Sequence, residues 1–256
     1  MNQRVGALIE VTVFLAGFII IAFIIDLLVC PSIASWLKKG YMIALSVGVI
    51  LVRRKQREYG LIPHDLWLDI RWVLIILAIF LIPALFMVVI YVGIPSDGGL
   101  LLEFIWYIIF VGIAEEIMFR GYIQSRLNEH FTKTCRRFMG YDVEWHQGTL
   151  IAGALIFGPI HLINAVNIRE GYVDITTSII IIAIVASFFG ILFGVVREIT
   201  GDIWICSFLH GIIDFVAVSL SRYIPEPSVY WIPLAVGFFI MFGFLFEVLI
   251  GDYKSK

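Results

Sequence analysis

The apolar runs of this chain are so long that water cannot be its only solvent. Eight stretches stand out, at about residues 7–30, 35–52, 72–92, 100–119, 149–165, 175–196, 203–220 and 230–250. A helix crossing a hydrocarbon core needs roughly 20 residues, with about 17–25 tolerated. The second run is the least regular, because Lys38-Lys39-Gly40 interrupts its start and only 41–52 is cleanly apolar. Composition points the same way: 61% of residues are hydrophobic and 15% charged, against roughly 45–50% and about 25% in a soluble domain. The expected fold is all-α, a polytopic membrane bundle of about eight transmembrane helices. A soluble globular fold is excluded. The first run is too long for a secretory signal and no small-residue cleavage site follows it, so it is expected to remain as the first span.

Charge sets the expected orientation. With eight spans, 14 of the 18 Lys and Arg fall at one end, and only Lys38, Lys39, Arg169 and Arg222 fall at the other. Positive loops stay in the cytoplasm, so both termini are expected there, with the protein a multi-pass component of the plasma membrane. A net charge of -2 excludes a basic nucleic-acid binder, and no nucleic acid is expected as a partner. Cys30, Cys135 and Cys206 are odd in number and scattered, and give neither a disulfide framework nor a cysteine zinc site. The longest extramembrane stretch, about 121–148, is a basic loop with helix-like spacing at its start. The chain therefore reads as a single integral-membrane domain over residues 1–256, with any chemistry in or beside the bilayer.

A charge at mid-membrane costs at least about 2.5–3.5 kcal/mol on insertion scales, so an ionisable side chain there is a functional candidate. Glu10, Asp26, Glu103 and Glu247 lie near span ends, where they can reach interfacial water. Glu115, Glu116, Arg120, His161, His210 and Asp214 lack that explanation. In Glu115-Glu116-Ile117-Met118-Phe119-Arg120, helical spacing puts Glu116 and Arg120 on one face as an ion pair. Glu115, rotated about 100° from Glu116, is left without a local cation on the face shared with Phe119 and Tyr122. An unpaired carboxyl in an apolar bundle suits a general base or acid, and an interfacial cluster that merely stops the span is the bland alternative. In Phe157-Gly158-Pro159-Ile160-His161, the proline removes a backbone hydrogen bond just before the histidine. In His210-Gly211-Ile212-Ile213-Asp214, histidine and acid share a face one turn apart. A satisfied core histidine and a His–Asp contact between helices are the alternatives at these two places. Counted along each span, Glu115 lies about 6–8 Å and His210 about 10 Å from the cytoplasmic end, with Asp214 at about 16 Å and His161 at about 18 Å. A shared pocket follows if the fifth helix begins outside the bilayer, nearer Trp145.

The three motifs, in this order on separate membrane helices, resemble the CAAX-protease and bacteriocin-processing (CPBP) family of intramembrane endopeptidases, which includes the type II CAAX prenyl endopeptidases. The similarity covers about residues 100–216, the expected catalytic core. Gly121-Tyr122-Ile123-Gln124 extends the first motif, and the approach from Gly194 to Leu209 leads into the last. The resemblance implies peptide hydrolysis by activated water near the cytoplasmic half of the membrane. Glu115, helped by His161, would deprotonate the water; His210 and Asp214 would stabilise the oxyanion or complete the site. Glu116, Arg120 and Phe157 would support it. The implied partners are the lipid bilayer and a peptide or protein substrate, with a prenylated C-terminus as one form. Family members usually carry Asn where this chain has Asp214, so Asp214 either holds a proton or orients His210.

No cofactor is expected. Glu115, His161, His210 and Asp214 nevertheless form an N/O set that leaves a divalent metal such as zinc open. The chain lacks the H-E-x-x-H of helix-borne zinc proteases and the G-x-S-x-G of serine hydrolases. Two other classes compete with the hydrolase reading: a proton-coupled carrier using the same groups as a relay, and a non-catalytic membrane scaffold that keeps the motifs for packing.

Overall fold

Eight helical rods make up the protein in a computed structural model that describes residues 2–93, 99–223 and 227–255. They are α1 (Gln3–Leu28), α2 (Pro31–Val52), α3 (Leu66–Val92), α4 (residues 99–128), α5 (Gln147–Ala165), α6 (Thr177–Thr200), α7 (residues 204–223) and α8 (residues 227–254). Each contains most of one of the eight apolar runs. Among the described residues, α1, α2, α3, α5, α6 and α8 are long and apolar enough to cross a membrane by themselves. Helix α7 is a shorter apolar rod, and α4 carries the acidic and basic residues of the first motif. Large apolar side chains such as Leu28, Leu74, Phe86, Ile184 and Phe239 stand exposed on the outer faces. That surface suits lipid and would be untenable in water. The protein is an integral, multi-pass membrane protein.

Local chemistry sets the helix limits. Asn2, Asp65 and Thr176 accept hydrogen bonds from the free amides at the starts of α1, α3 and α6. Pro31 begins α2, where a missing amide hydrogen costs nothing. Gly201, at φ +82°, ends α6 in the left-handed conformation. The basic 121–148 stretch continues α4 as far as Asn128 and then forms an antiparallel hairpin, β1 (Thr134–Phe138) with β2 (Tyr141–His146). Its turn residues Met139 and Gly140 both have positive φ, as a two-residue hairpin turn demands. A second, minimal pair, β3 (Val166–Asn167) with β4 (Tyr172–Val173), links α5 to α6.

Glycines bring the central helices into contact. A Cβ on Gly153 of α5 would stand 2.5 Å from the backbone carbon of Gly190 on α6. One on Gly211 of α7 would stand 2.7 Å from the Cα of Ile108 on α4. Small residues permit such approaches, through which membrane helices gain packing that the hydrophobic effect does not supply in lipid.

The alternation of the rods gathers the arginine-rich segments at one end. Arg53 pairs with Glu10, Lys55 with Glu129, Arg71 with Asp252, and Arg126 with both Glu10 and Glu129. Lys256, counted at this end, lies outside the described residues. The other end holds Arg169, bonded to the Val29 carbonyl, and Arg222, paired with Glu103. Two lysines depart from the expected distribution. Helix α2 starts at Pro31, so Lys38 and Lys39 lie inside it and face the bundle rather than an external loop. Asp26 and Glu115 are their respective partners.

Candidate active site

Glu115 and Glu116 lie in the middle of α4, between Trp106–Ile113 and Ile117–Gln124, where the backbone widens to i→i+5 hydrogen bonding. Widened turns recur at Ile151–Phe157 in α5, just before His161, and at Phe215–Ser219 in α7, just after Asp214. Such turns are rare in helices and concentrate at functional sites.

Glu116 is fully buried. Its Oε1 accepts from Arg120 Nη1 at 2.8 Å, as the spacing predicts. Arg120, also buried, donates to the Gly190 carbonyl on α6 and lies over the Phe157 ring, 4.2 Å from its centroid. The same Glu116 oxygen is 2.7 Å from Nδ1 of His210. Glu116 therefore does more than pin α4 in place: it also holds the α7 imidazole, a contact the sequence reading did not anticipate. Phe193 stacks on that ring at 5.0 Å, and Phe157 meets it edge-on at 5.9 Å.

With Nδ1 held by Glu116, the other nitrogen of His210 faces the remaining acids. Nε2 is 3.4 Å from Asp214 Oδ2 and 3.9 Å from Glu115 Oε2. One oxygen atom fits within hydrogen-bond reach of both Glu115 and Nε2. Asp214 sits on this side of the ring, so the acid that orients His210 from behind is Glu116.

His161 is fixed by the break that Pro159 imposes. The His161 amide bonds back to Gly158, and the chain tightens into a 3-10 turn over His161–Ala165. The Phe157 carbonyl is 2.7 Å from His161 Nδ1. A carbonyl only accepts, so Nδ1 carries the hydrogen, and in the neutral ring the lone pair is then on Nε2. Helix α5 begins at Gln147, immediately after the hairpin, which supplies the extra length that brings His161 to the depth of the other groups.

Glu115, His161, His210 and Asp214 line one cavity of about 720 Å³, with Phe157 in its wall. The rest of the lining is apolar, including Ile181, Ile182 and Val185 of α6 and Trp231 and Leu234 of α8. The α6 residues and Trp231 are about half exposed, so the cavity opens to the bilayer between α6 and α8.

Two expectations are corrected here. Glu115 is not without a cation: Lys39 Nζ is 2.5 Å from its Oε1. Nor does it share a face with Tyr122, which turns away to donate to Glu10 at 2.7 Å, because the wide turn from Ile117 slips the helical phase. Helix α4 runs on to Asn128, past the Phe119 end that the apolar run suggested, so Glu115 lies roughly 20 Å from the helix terminus at ~1.5 Å per residue.

Lys39 is the residue of this neighbourhood that the sequence reading missed. The signal was present in Cys30-Pro31, since a proline at the first helical position places Lys39 two turns inside α2. Among the described residues, no three His, Cys, Asp or Glu side chains are grouped closely enough to hold a metal ion.

Residues 97–216, just under half of the chain, match the family model described as type II CAAX prenyl endopeptidase Rce1-like. The match spans all three motifs and supports the resemblance to the CPBP family. No curated protein and no solved structure matches the chain.

Proposed function

We propose that this chain, with its Rce1-like segment at residues 97–216, is an intramembrane endopeptidase in which Glu115 is the general base. The observation that carries the reading is the meeting of Glu115 Oε2, Asp214 Oδ2 and His210 Nε2 within 3.9 Å in a cavity that opens to lipid. A water between Glu115 and the lone pair of His161 is placed to lose a proton to the carboxylate as it attacks a peptide carbonyl. His210, donating from Nδ1 to the carboxylate of Glu116, offers Nε2–H to the oxygen on which charge develops. The proton held by Glu115 then passes to the departing amine. A positioned base contributes roughly 10²–10⁴-fold, and one oxyanion donor about 2.7–4 kcal/mol.

The substrate is a peptide with an apolar or lipid-bearing segment that reaches the bond-breaking groups from the bilayer between α6 and α8. A prenylated C-terminus is one such substrate, its chain supplying membrane affinity. Cleavage takes place near the cytoplasmic half of the membrane. The arginine-rich end faces the cytosol of a cell whose plasma membrane holds the protein.

The test is hydrolysis of prenylated and unprenylated membrane peptides by the purified protein in liposomes, with and without chelator, alongside Glu115→Gln. Turnover that persists in that variant would refute the assignment. Loss of turnover with chelator would assign the water to a metal.

A further inference from the structure

Glu115 lines one cavity and, through Lys39, meets a second that carries more charged side chains. The 720 Å³ cavity on one side is lined mostly by apolar side chains. On the other side, α1, α2, α4 and α5 enclose about 430 Å³ whose lining includes Asp26, Ser35, Lys38, Lys39 and Asn164. Consecutive residues of α5 mark the partition, since Ile160 lines the second chamber and His161 the first.

The chamber's charges do not balance. Lys38 is paired with Asp26 at 2.8 Å within the chamber wall. Lys39 lines the same wall, but its partner Glu115 belongs to the other cavity. The chamber's own lining is left with one excess positive charge, in a space within the usual small-ligand range of about 300–1,000 Å³. An ammonium this deep in a membrane is costly to keep, and the groups that keep it are functional by default.

We propose that this chamber receives the C-terminal end of the substrate peptide and that Lys39 binds its terminal carboxylate. The inference rests on the endopeptidase reading and adds to it the chemistry of the departing fragment: a short peptide acid. It also gives the Lys39–Glu115 contact a purpose. With the chamber empty, the ammonium sits on Oε1 of the base and weakens the carboxylate's pull on a proton, while Oε2 faces the cavity. A carboxylate arriving in the chamber competes for that ammonium and draws it away, so Glu115 is released when a peptide end of the right chemistry is in place. Lys39 is thus a specificity-determining residue that couples recognition to the base.

The experiment compares one membrane peptide bearing a free C-terminal carboxylate with the same peptide as its carboxamide. The wild-type protein is expected to favour the acid by roughly 10–100-fold in kcat/KM, the range of one charge-assisted contact. Lys39→Met is expected to bring that ratio close to one, and Lys39→Arg to retain most of it. A merely structural role for Lys39 would lower turnover of both peptides together and leave the ratio unmoved. Equal wild-type turnover of acid and amide, or an unaltered ratio in Lys39→Met, overturns the proposal. A second arm measures binding of a short peptide acid and its amide to the wild-type protein by calorimetry, which requires neither a variant nor turnover. Preference for the acid supports the chamber, and equal binding overturns it. If no peptide is hydrolysed, the endopeptidase reading fails and the binding arm still decides the site.

Discussion

Glu116 Oε1 is shared by two partners: it takes a hydrogen bond from Arg120 at 2.8 Å and lies 2.7 Å from Nδ1 of His210. A single carboxylate on α4 thereby positions the third motif on α7. Through Arg120 and the Gly190 carbonyl it also reaches α6. Arg120 also lies over the Phe157 ring of α5, so the three motifs are mechanically joined as well as adjacent.

Removing Arg120 should expose this joint. Arg120→Met leaves a buried carboxylate without its main counter-charge, and the expected cost is about 3–5 kcal/mol in thermal or denaturant unfolding. The double replacement Arg120→Met with Glu116→Gln should recover much of that loss while remaining inactive, because His210 has lost its charged support. Additive destabilisation in the double variant would contradict the arrangement.

Glu115→Gln retains the shape of the side chain and removes its basicity. Turnover is expected to fall by roughly 10²–10⁴-fold, with the melting profile in detergent close to that of the unmodified protein. Single-turnover cleavage of a quenched membrane peptide separates this chemical defect from a failure to bind.

Asp214 offers a contrast. Its Oδ2 lies 3.4 Å from His210 Nε2, and an asparagine oxygen can occupy the same place. Asp214→Asn should keep activity within about tenfold, a change of ~1.4 kcal/mol or less in the barrier, whereas Asp214→Ala should lose more. Greater loss with Asn than with Ala would show that the negative charge itself is required.

The contact between α5 and α6 sets the position of His161. Gly153→Val would drive a branched side chain into the Gly190 backbone, where even a lone Cβ stands 2.5 Å away. Overpacking of this kind costs about 1–3 kcal/mol. Activity should fall further than stability, since His161 moves with α5; equal losses would separate the helix contact from the site.

At the arginine-rich end, outside the spans, burial and the neighbouring Asp69 push the Asp202 carboxyl up to about 7. The folded protein thus holds a proton that the unfolded chain releases above pH ~4. The stability this gives is present below about pH 4 and is lost as pH rises through about 7. Asp202→Asn, a neutral mimic of the protonated acid, should melt higher than the unmodified protein at pH 8 and similarly only at or below about pH 4. Each kcal/mol gained corresponds to roughly 2–4 °C in a chain of this size. A difference that does not vary with pH would assign the effect to packing.

The helices were legible because hydrocarbon demands one simple property, a long apolar run; among the described residues six rods satisfy it outright, and α4 and α7 each contain most of a shorter or interrupted one. The Glu116–Arg120 pair was legible because it depends on local spacing alone. Lys39 was not, because its meaning comes from a partner 76 positions away and because charged residues beside an apolar run ordinarily mark its end. The bond between Glu116 and His210 was hidden for the same reason. The β1–β2 hairpin was missed although Tyr141-Asp142-Val143-Glu144-Trp145-His146 alternates apolar and polar and buries Val143 and Trp145, because a short strand in a basic loop is a far weaker signal than a long apolar run. The burial of Arg120 was not legible either, because such a charge reads as interfacial, whereas it is 1% exposed within the bundle.

The tether between His161 and the carbonyl of Phe157 restricts what that ring can do. With one nitrogen's hydrogen committed to the backbone, the imidazole cannot relay by passing charge from one edge to the other. Any proton it takes from the cavity must leave through the same atom, so the histidine can serve a turnover only as a two-way valve that resets itself before the next bond is cut.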